Sequence, residues 1–328
     1  MKKTFIVAEI AQGYEGDVNL CKLFVRLAKA SGADAVKFQI FEVEELCVES
    51  YKHYALFKSL YIAPEKWQEV IDLAKKEGIE FYADIFGTKT LNWITAAGID
   101  GIKIHSSDLK NYELLKNLKD KEYNIILGIG GSTLEETEKA VNILGKNNII
   151  LMSGFQAEPN YIEDIELHKL KILKDKFGLK VGYADHIDVA TELSVTLPSM
   201  AVLMGADCIE KHLTIEREYL KLEDFISALN ASEFLRMVEL IRNVEQFPNV
   251  FSSKFDLTER EKKYRISSKK VVLSSQNLSE GHVIALEDIT FLRTGEEYTD
   301  LLELEEIIGK KTKQSISKNT LIRKEYLQ

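Results

Sequence analysis

From the fifth residue onward, short apolar runs alternate with longer stretches in which apolar residues return every three or four positions. The runs cover residues 5–9, 35–40, 80–84, 101–105, 124–128, 149–153, 180–183 and 208–211. They show little polar–apolar alternation, which predicts strands covered on both faces. The stretches between them predict amphipathic helices. "VNLCKLFVRLAKASG" follows Asp17, a good helix-capping residue, and stops at Gly32. "APEKWQEVIDLAKKEG" has Pro64 in its first turn and Gly78 after its last. "STLEETEKAVNILGK" opens on a Ser/Thr-x-x-Glu box, which pairs Ser132 with Glu135. "SEFLRMVELIRNVEQF" ends the series.

Eight strand-then-helix units within residues 1–250 predict a (β/α)8 TIM barrel. A doubly wound open sheet is the alternative, but no G-x-G-x-x-G follows the first strand. Near residue 247 the pattern breaks. "FPNVFSSKFDLTEREKKYR" carries a proline, serines and charges, and predicts a linker over residues 251–263. Short strands and small polar turns follow, so residues 264–328 are expected to form a small β-rich domain.

The bulk numbers narrow the partners. The 328 residues are 45% hydrophobic and 29% charged, ordinary for a globular enzyme. A net charge of −9 offers no field for a nucleic-acid backbone or an anionic membrane. Cys21, Cys47 and Cys208 show neither metal nor disulfide spacing, which fits a reducing compartment. The opening "MKKTFIVAEIAQ" is broken by Glu9 and is too short for a signal peptide or membrane span. A cytoplasmic location is the expectation.

In a barrel, polar residues at the C-terminal ends of the strands share one mouth. Here these are Glu9, Lys37, Gln39, Asp84, Lys103, Ser106, Asp108, Gln156, Asp185, His186, Glu210 and His212. Asp185 and His186 end the seventh run and His212 follows the eighth. Two imidazoles on neighbouring strands suit a divalent cation; the plain alternative is a pair of hydrogen-bonded core histidines. Lys37 and Lys103 interrupt apolar strands, where an ammonium must be paired. They are either buried salt bridges to Glu9 or Asp84, or a clamp for a phosphate or carboxylate. A Schiff base at Lys103 is a third possibility.

The order of "AEIAQGYEGD", "GADAVKFQ", "IKIHSSD", "STLEE", "GYADH" and "GADCIEKHLT", followed by "RISSKK" and "FLRTG", resembles the sialic acid synthase family. The end of the chain is similar to the antifreeze-like (SAF) domain those enzymes carry. The resemblance implies condensation of phosphoenolpyruvate with the open-chain aldehyde of an N-acyl amino sugar. The products are phosphate and a nine-carbon 2-keto acid. It implies a divalent metal, usually manganese, on His186 and His212. Glu9 and Asp108 match family catalytic carboxylates. Lys37, Lys103, Ser106 and Gln39 match donor contacts. Asp224 and Arg293 match contacts to the sugar, Arg293 from the partner of a domain-swapped homodimer, and Gln156 matches a further substrate-binding position.

The chain departs from the family pattern at several points. "AQGYEG" replaces the usual Gly-x-Asn-His-x-Gly, and Asp84 stands where a phosphate-binding threonine is expected. Gly128 and Ala184 lack family hydroxyls, while Gln156 and Glu158 stand for Asn and Tyr. An acid beside a phosphate is unfavourable unless a cation or proton intervenes. Backbone N–H groups at 128–131 could compensate. Two other readings therefore stay open: a metal-dependent barrel aldolase or isomerase that does not use phosphoenolpyruvate, and a non-enzymatic sugar-binding protein.

Overall fold

A computed structural model describes residues 3–119, 121–154, 160–217, 222, 224–247, 254–295 and 301–328. The chain divides into two units, Met1–Val250 and Phe251–Gln328.

The first unit is built of strand–helix repeats. β1 (Phe5–Ala11) leads to α1 (Val18–Ala30). β2 (Ala35–Ile40) leads through two short helices, α2 (Val43–Leu46) and α3 (Tyr54–Leu60), to α4 (Pro64–Glu77). Then come β3 (Glu80–Ile85) with α5 (Thr88–Ala96), and β4 (Gly101–Ile104) with α6 (Tyr112–Leu118). β5 (Asn124–Gly128) precedes α7 (Leu134–Leu144), and β6 (Ile149–Ser153) precedes α8 (His168–Phe177). β7 (Lys180–Asp185) with α9 (Leu193–Leu203), and β8 (Cys208–Thr214), complete the ring. A two-residue strand, β9 (Leu229–Asn230), and α10 (Ala231–Val244) follow. Each barrel strand pairs in parallel with the next, and β8 pairs with β1, so the sheet closes as a TIM barrel.

Local chemistry sets the helix ends. Asp17 caps α1 by accepting from the Asn19 N–H at 2.7 Å. Gly78 closes α4 in the left-handed region, at φ 69°. The capping box of α7 is Thr133 with Glu136, one residue beyond the predicted Ser132–Glu135 pair, which has the same spacing.

Period-two geometry divides the strand residues between two cores. One set, including Phe38 and Phe81, packs against the helices, where it meets Trp67 of α4. The other fills the barrel with Val7, Ala35, Tyr82, Ile126, Met152, Ala184 and Cys208. Gly101 is required here, because a Cβ would lie 2.0 Å from the Tyr82 ring. Two residues further along the same strand faces come Glu9, Lys37, Asp84, Lys103 and Glu210. The barrel thus carries a charged layer on an apolar floor.

In the second unit β10 (Val271–Ser274) pairs antiparallel with β11 (Ile289–Leu292). A compact core of Val272, Leu278, Ile284, Ile307, Ile316 and Ile322 lies beneath isolated bridges. Part of the stretch expected as a linker is helical. In α11 (Glu259–Ser268) the Thr258 and Glu261 side chains cap the first turn reciprocally. No residue of α11 is buried, so the helix lacks the apolar face that would reveal it in the sequence. The last described helix is α12 (Leu304–Ile307).

Candidate active site

Strand register builds the site. Glu9 on β1 lies opposite Lys37 on β2 and His212 on β8. Asp84 on β3 lies opposite Gln39 and Lys103. Above this layer, a cavity of about 100 Å³ is lined by Glu9, Gln39, Lys103, His105, His186, Glu210, His212 and Asp224. Residues from four of the barrel strands, and from the loops after β4, β7 and β8, thus meet in one place.

The charged layer is a closed ion-pair network. Lys37 contacts Glu9, and lies 3.4 Å from Asp84 and 3.5 Å from Glu210. Lys103 lies 2.6 Å from Glu210 and 3.5 Å from Asp84. Burial works against the Lys37 ammonium and lowers its pKa in spite of Glu210. Burial also works against Lys103, but the Glu210 and Asp84 carboxylates outweigh it and raise its pKa. Glu210 in turn is held below the usual carboxylate range, since Lys103 and Lys37 overcome the opposing effect of burial. The two lysines differ in access: Lys103 lines the cavity, whereas Lys37 is fully buried beneath it.

The imidazoles stand side by side, with His186 and His212 ring centroids 5.1 Å apart. Burial, reinforced by Lys103, pushes the His186 pKa down to about 4. Burial and the neighbouring His186 push His212 well below its ordinary value. Both rings are neutral near pH 7 and keep a lone pair. The Nδ1 of His186 is buried without a hydrogen-bond partner among the described residues. The Nδ1 of His212 lies 3.7 Å from the Asp224 carboxylate. Asp224 itself has a left-handed backbone, at φ 60°.

Two neutral imidazoles, one with an unpartnered buried nitrogen, fit a divalent cation. Among the described residues no set of three His, Cys, Asp or Glu groups could hold one. Solvent or substrate oxygens would have to complete its shell.

Loop chemistry fixes the rim. The Ala11 N–H donates to Glu9 Oε1 at 2.7 Å, where the β1–β2 register shifts. Ala11 pays for this turn with φ at 50°. The Gln39 side chain accepts from Gln12 at 2.8 Å, and its carbonyl accepts from the Tyr14 hydroxyl at 3.0 Å.

Not every expected residue reaches the cavity. Ser106 and Asp108 lie on a 3-10 turn after β4 and do not line it. Asp108 accepts from Asn111 at 2.9 Å and Ser107 at 3.2 Å, and burial raises its pKa. Asp185 points away from the mouth and binds Lys211 at 2.9 Å, because adjacent strand residues face opposite sides. Gln156 and Glu158 lie outside the described residues. Arg293 follows β11 in the second unit and lines a separate cavity there with Arg323. Glu210, a polar residue of β8 with no chemistry implied by its local sequence, joins both lysines. Its two-residue step from His212 along β8 is the signal for it.

Comparison with known proteins agrees with this architecture. Residues 24–250 match the NeuB family model and residues 269–328 match the SAF domain. An uncharacterised protein of Methanocaldococcus jannaschii is 32% identical, over 89% of this chain and 85% of its own length. The N,N'-diacetyllegionaminic acid synthase of Legionella pneumophila is 28% identical, over 99% of this chain and 94% of its own. A crystal structure of N-acetylneuraminic acid synthetase from Leptospira borgpetersenii is 28% identical, with a TM-score of 0.74 over 80% of this chain and 92% of that one. With a closed barrel, a polar mouth and a match over most of its length, the chain belongs to the NeuB family and carries a SAF domain over residues 269–328.

Proposed function

We propose that this protein is a sialic-acid-type synthase. It condenses phosphoenolpyruvate with the aldehyde of an N-acyl amino sugar to give a nine-carbon 2-keto acid and phosphate. The observation that carries the proposal is the meeting of two neutral imidazoles, His186 and His212, with the Lys103 ammonium in one cavity. It supports a reading in which an electrophile-activating pair works beside an anion-binding group. The names of the Legionella and Leptospira relatives support the same chemistry.

In this reaction C3 of the donor bonds to the aldehyde carbon, and water adds to the donor's C2. The resulting C2 centre collapses to a ketone as its C–O bond to phosphate breaks. Water supplies two protons overall, one to the former aldehyde oxygen and one to phosphate. Lys103 grips the donor's anionic end. Glu9, on the cavity wall, takes a proton from the attacking water. Asp108, on the turn after β4 and with its pKa raised by burial, serves as the second catalytic carboxylate. His186 and His212 would hold a divalent cation, manganese in this proposal, which would supply Lewis acidity for the aldehyde when bound. Gln39 and Asp224 orient the sugar's hydroxyls. The proposal extends to a homodimer, with Arg293 as a further sugar contact and Gln156 as a further substrate-binding residue.

Purified protein loaded with manganese, given phosphoenolpyruvate and a panel of N-acylated hexosamines, is expected to release phosphate. The product should have the mass of the condensed keto acid. Folded, metal-loaded protein that releases none across the panel would overturn the proposal. One observation favours a second reading, a barrel aldolase or isomerase without phosphoenolpyruvate: the layer beneath the cavity holds three carboxylates for two ammonium groups.

A further inference from the structure

The buried layer contains more acid than it needs. Lys37 is paired by Glu9, and Lys103 is paired by Glu210 at 2.6 Å. Those two pairs alone are neutral. Asp84 is a third carboxylate, fully buried, and its contacts to the two lysines are longer, 3.4 and 3.5 Å. Both involve one oxygen, Oδ2. The other, Oδ1, is buried with no hydrogen-bond partner among the described residues. A surplus buried carboxylate with an unsatisfied oxygen is costly to keep for stability alone. Its one geometric distinction is that a single oxygen bridges the two ammonium groups, as one oxygen of a bound anion would.

We infer that Asp84 is a specificity-determining residue that acts as an internal anion, occupying the bridge between Lys37 and Lys103 and limiting how much negative charge a donor can bring to the cavity. This rests on the donor-condensing reading above. A singly charged carboxylate can engage Lys103 from the cavity side. A second anionic group meets the Asp84 charge where it would otherwise meet Lys37. Asp84→Asn keeps the shape and leaves the layer with two acids and two ammonium groups. Removing one like charge a few ångströms from an anion, in an interior of intermediate dielectric, is worth about tenfold or more in Kd.

The test is calorimetric titration of manganese-loaded wild type, Asp84→Asn and Asp84→Ser with phosphoenolpyruvate and with pyruvate. The expected result is a Kd for phosphoenolpyruvate about tenfold lower in both variants, with pyruvate changed less than threefold. In the wild type the added phosphate should gain less than about tenfold over pyruvate. This arm stands even if neither variant folds. Equal or weaker phosphoenolpyruvate binding in the variants overturns the inference, as does a wild type that already prefers phosphoenolpyruvate more strongly than that. If neither donor binds any form, the inference is also overturned. Wild type that releases phosphate while the variants gain nothing sinks the role of Asp84 alone. Variants that bind tightly in a protein that condenses no acceptor sink the synthase reading alone.

Discussion

Lys211 donates to the carboxylate of Asp185 at 2.9 Å, and both side chains are fully buried on the outer side of the barrel wall. The same carboxylate accepts the Ile187 N–H at 3.1 Å, and the Lys211 ammonium lies 3.5 Å from the Ile187 carbonyl. The pair therefore holds Ile187, the residue after His186, by both its N–H and its carbonyl, without lining the cavity. Lys211→Met leaves Asp185 charged and unpaired, which is expected to cost about 3–5 kcal/mol. Replacing both partners, as Lys211→Met with Asp185→Leu, should recover most of that stability while leaving His186 less fixed. Urea denaturation reads the first effect. Manganese affinity, followed by the free-ion resonance signal, reads the second and should stay about tenfold weaker in the double variant. Full recovery of both would show that the pair serves stability only.

The histidines give the metal-free protein a pH dependence of defined sign. The His186 pKa is about 4 when folded, against an ordinary value near 6.5. Between those values the unfolded chain binds the proton and the folded chain does not, so stability falls as pH drops. The contribution is complete above about pH 6.5 and is lost progressively toward pH 4. Since the residue as a whole is only half-buried, His186 should account for roughly 1–2 kcal/mol between pH 7 and pH 5. His212 acts in the same direction. Thermal unfolding of the metal-free wild type should show a lower Tm at pH 5 than at pH 7. His186→Gln should flatten part of that slope, and an unchanged slope would contradict the assignment.

The barrel was legible because its strands are buried on both faces and its helices are punctuated at their ends. β2, β5 and β6 fall at the residues that the apolar runs predict. His186, His212 and Lys103 were legible because polar side chains in such runs need a reason to be there. The partners of the lysines were not. Whether Lys37 pairs with an acid of its own or waits for a ligand depends on cross-strand register, which a single sequence does not state. Asp185 and Lys211 were hidden for the same reason. Each is adjacent in sequence to a cavity histidine, yet one step along a strand turns a side chain to the opposite face.

Ala11 marks a strained point that the site maintains. Its φ of 50° is in the left-handed region, where a Cβ is unfavourable. The conformation lets its N–H donate to Glu9 Oε1. Ala11→Gly should relieve that strain, partly offset by the greater freedom of glycine in the unfolded chain. The expected outcome is a gain of about 0.5–1 kcal/mol in denaturant unfolding, with the fold unchanged. A loss of stability would mean that the alanine methyl packs more productively than its backbone is strained.

The inner cavity shares Gln39 and Asp224 with an adjoining one lined by Gln12, His53, Leu56 and Phe57. The last three come from α3 and the residue before it, in the segment inserted between β2 and α4. Under the proposed synthase reading, an acceptor with its aldehyde beside the imidazoles would extend the rest of its chain into this second space. There Phe57 and Leu56 supply an apolar wall suited to an N-acyl methyl group. Phe57 also packs against Phe41 at 5.8 Å and Tyr51 at 6.1 Å, so its ring is held in place. Loss of one such apolar contact is worth about tenfold in discrimination. Phe57→Ala is therefore expected to raise the acceptor's KM about tenfold while leaving the KM for phosphoenolpyruvate within about twofold. Phe57→Leu should restore most of the difference. Steady-state kinetics with each substrate varied in turn reads the split. A matching rise in both KM values would trace the effect to a displaced α3, not to a lost contact with the acceptor.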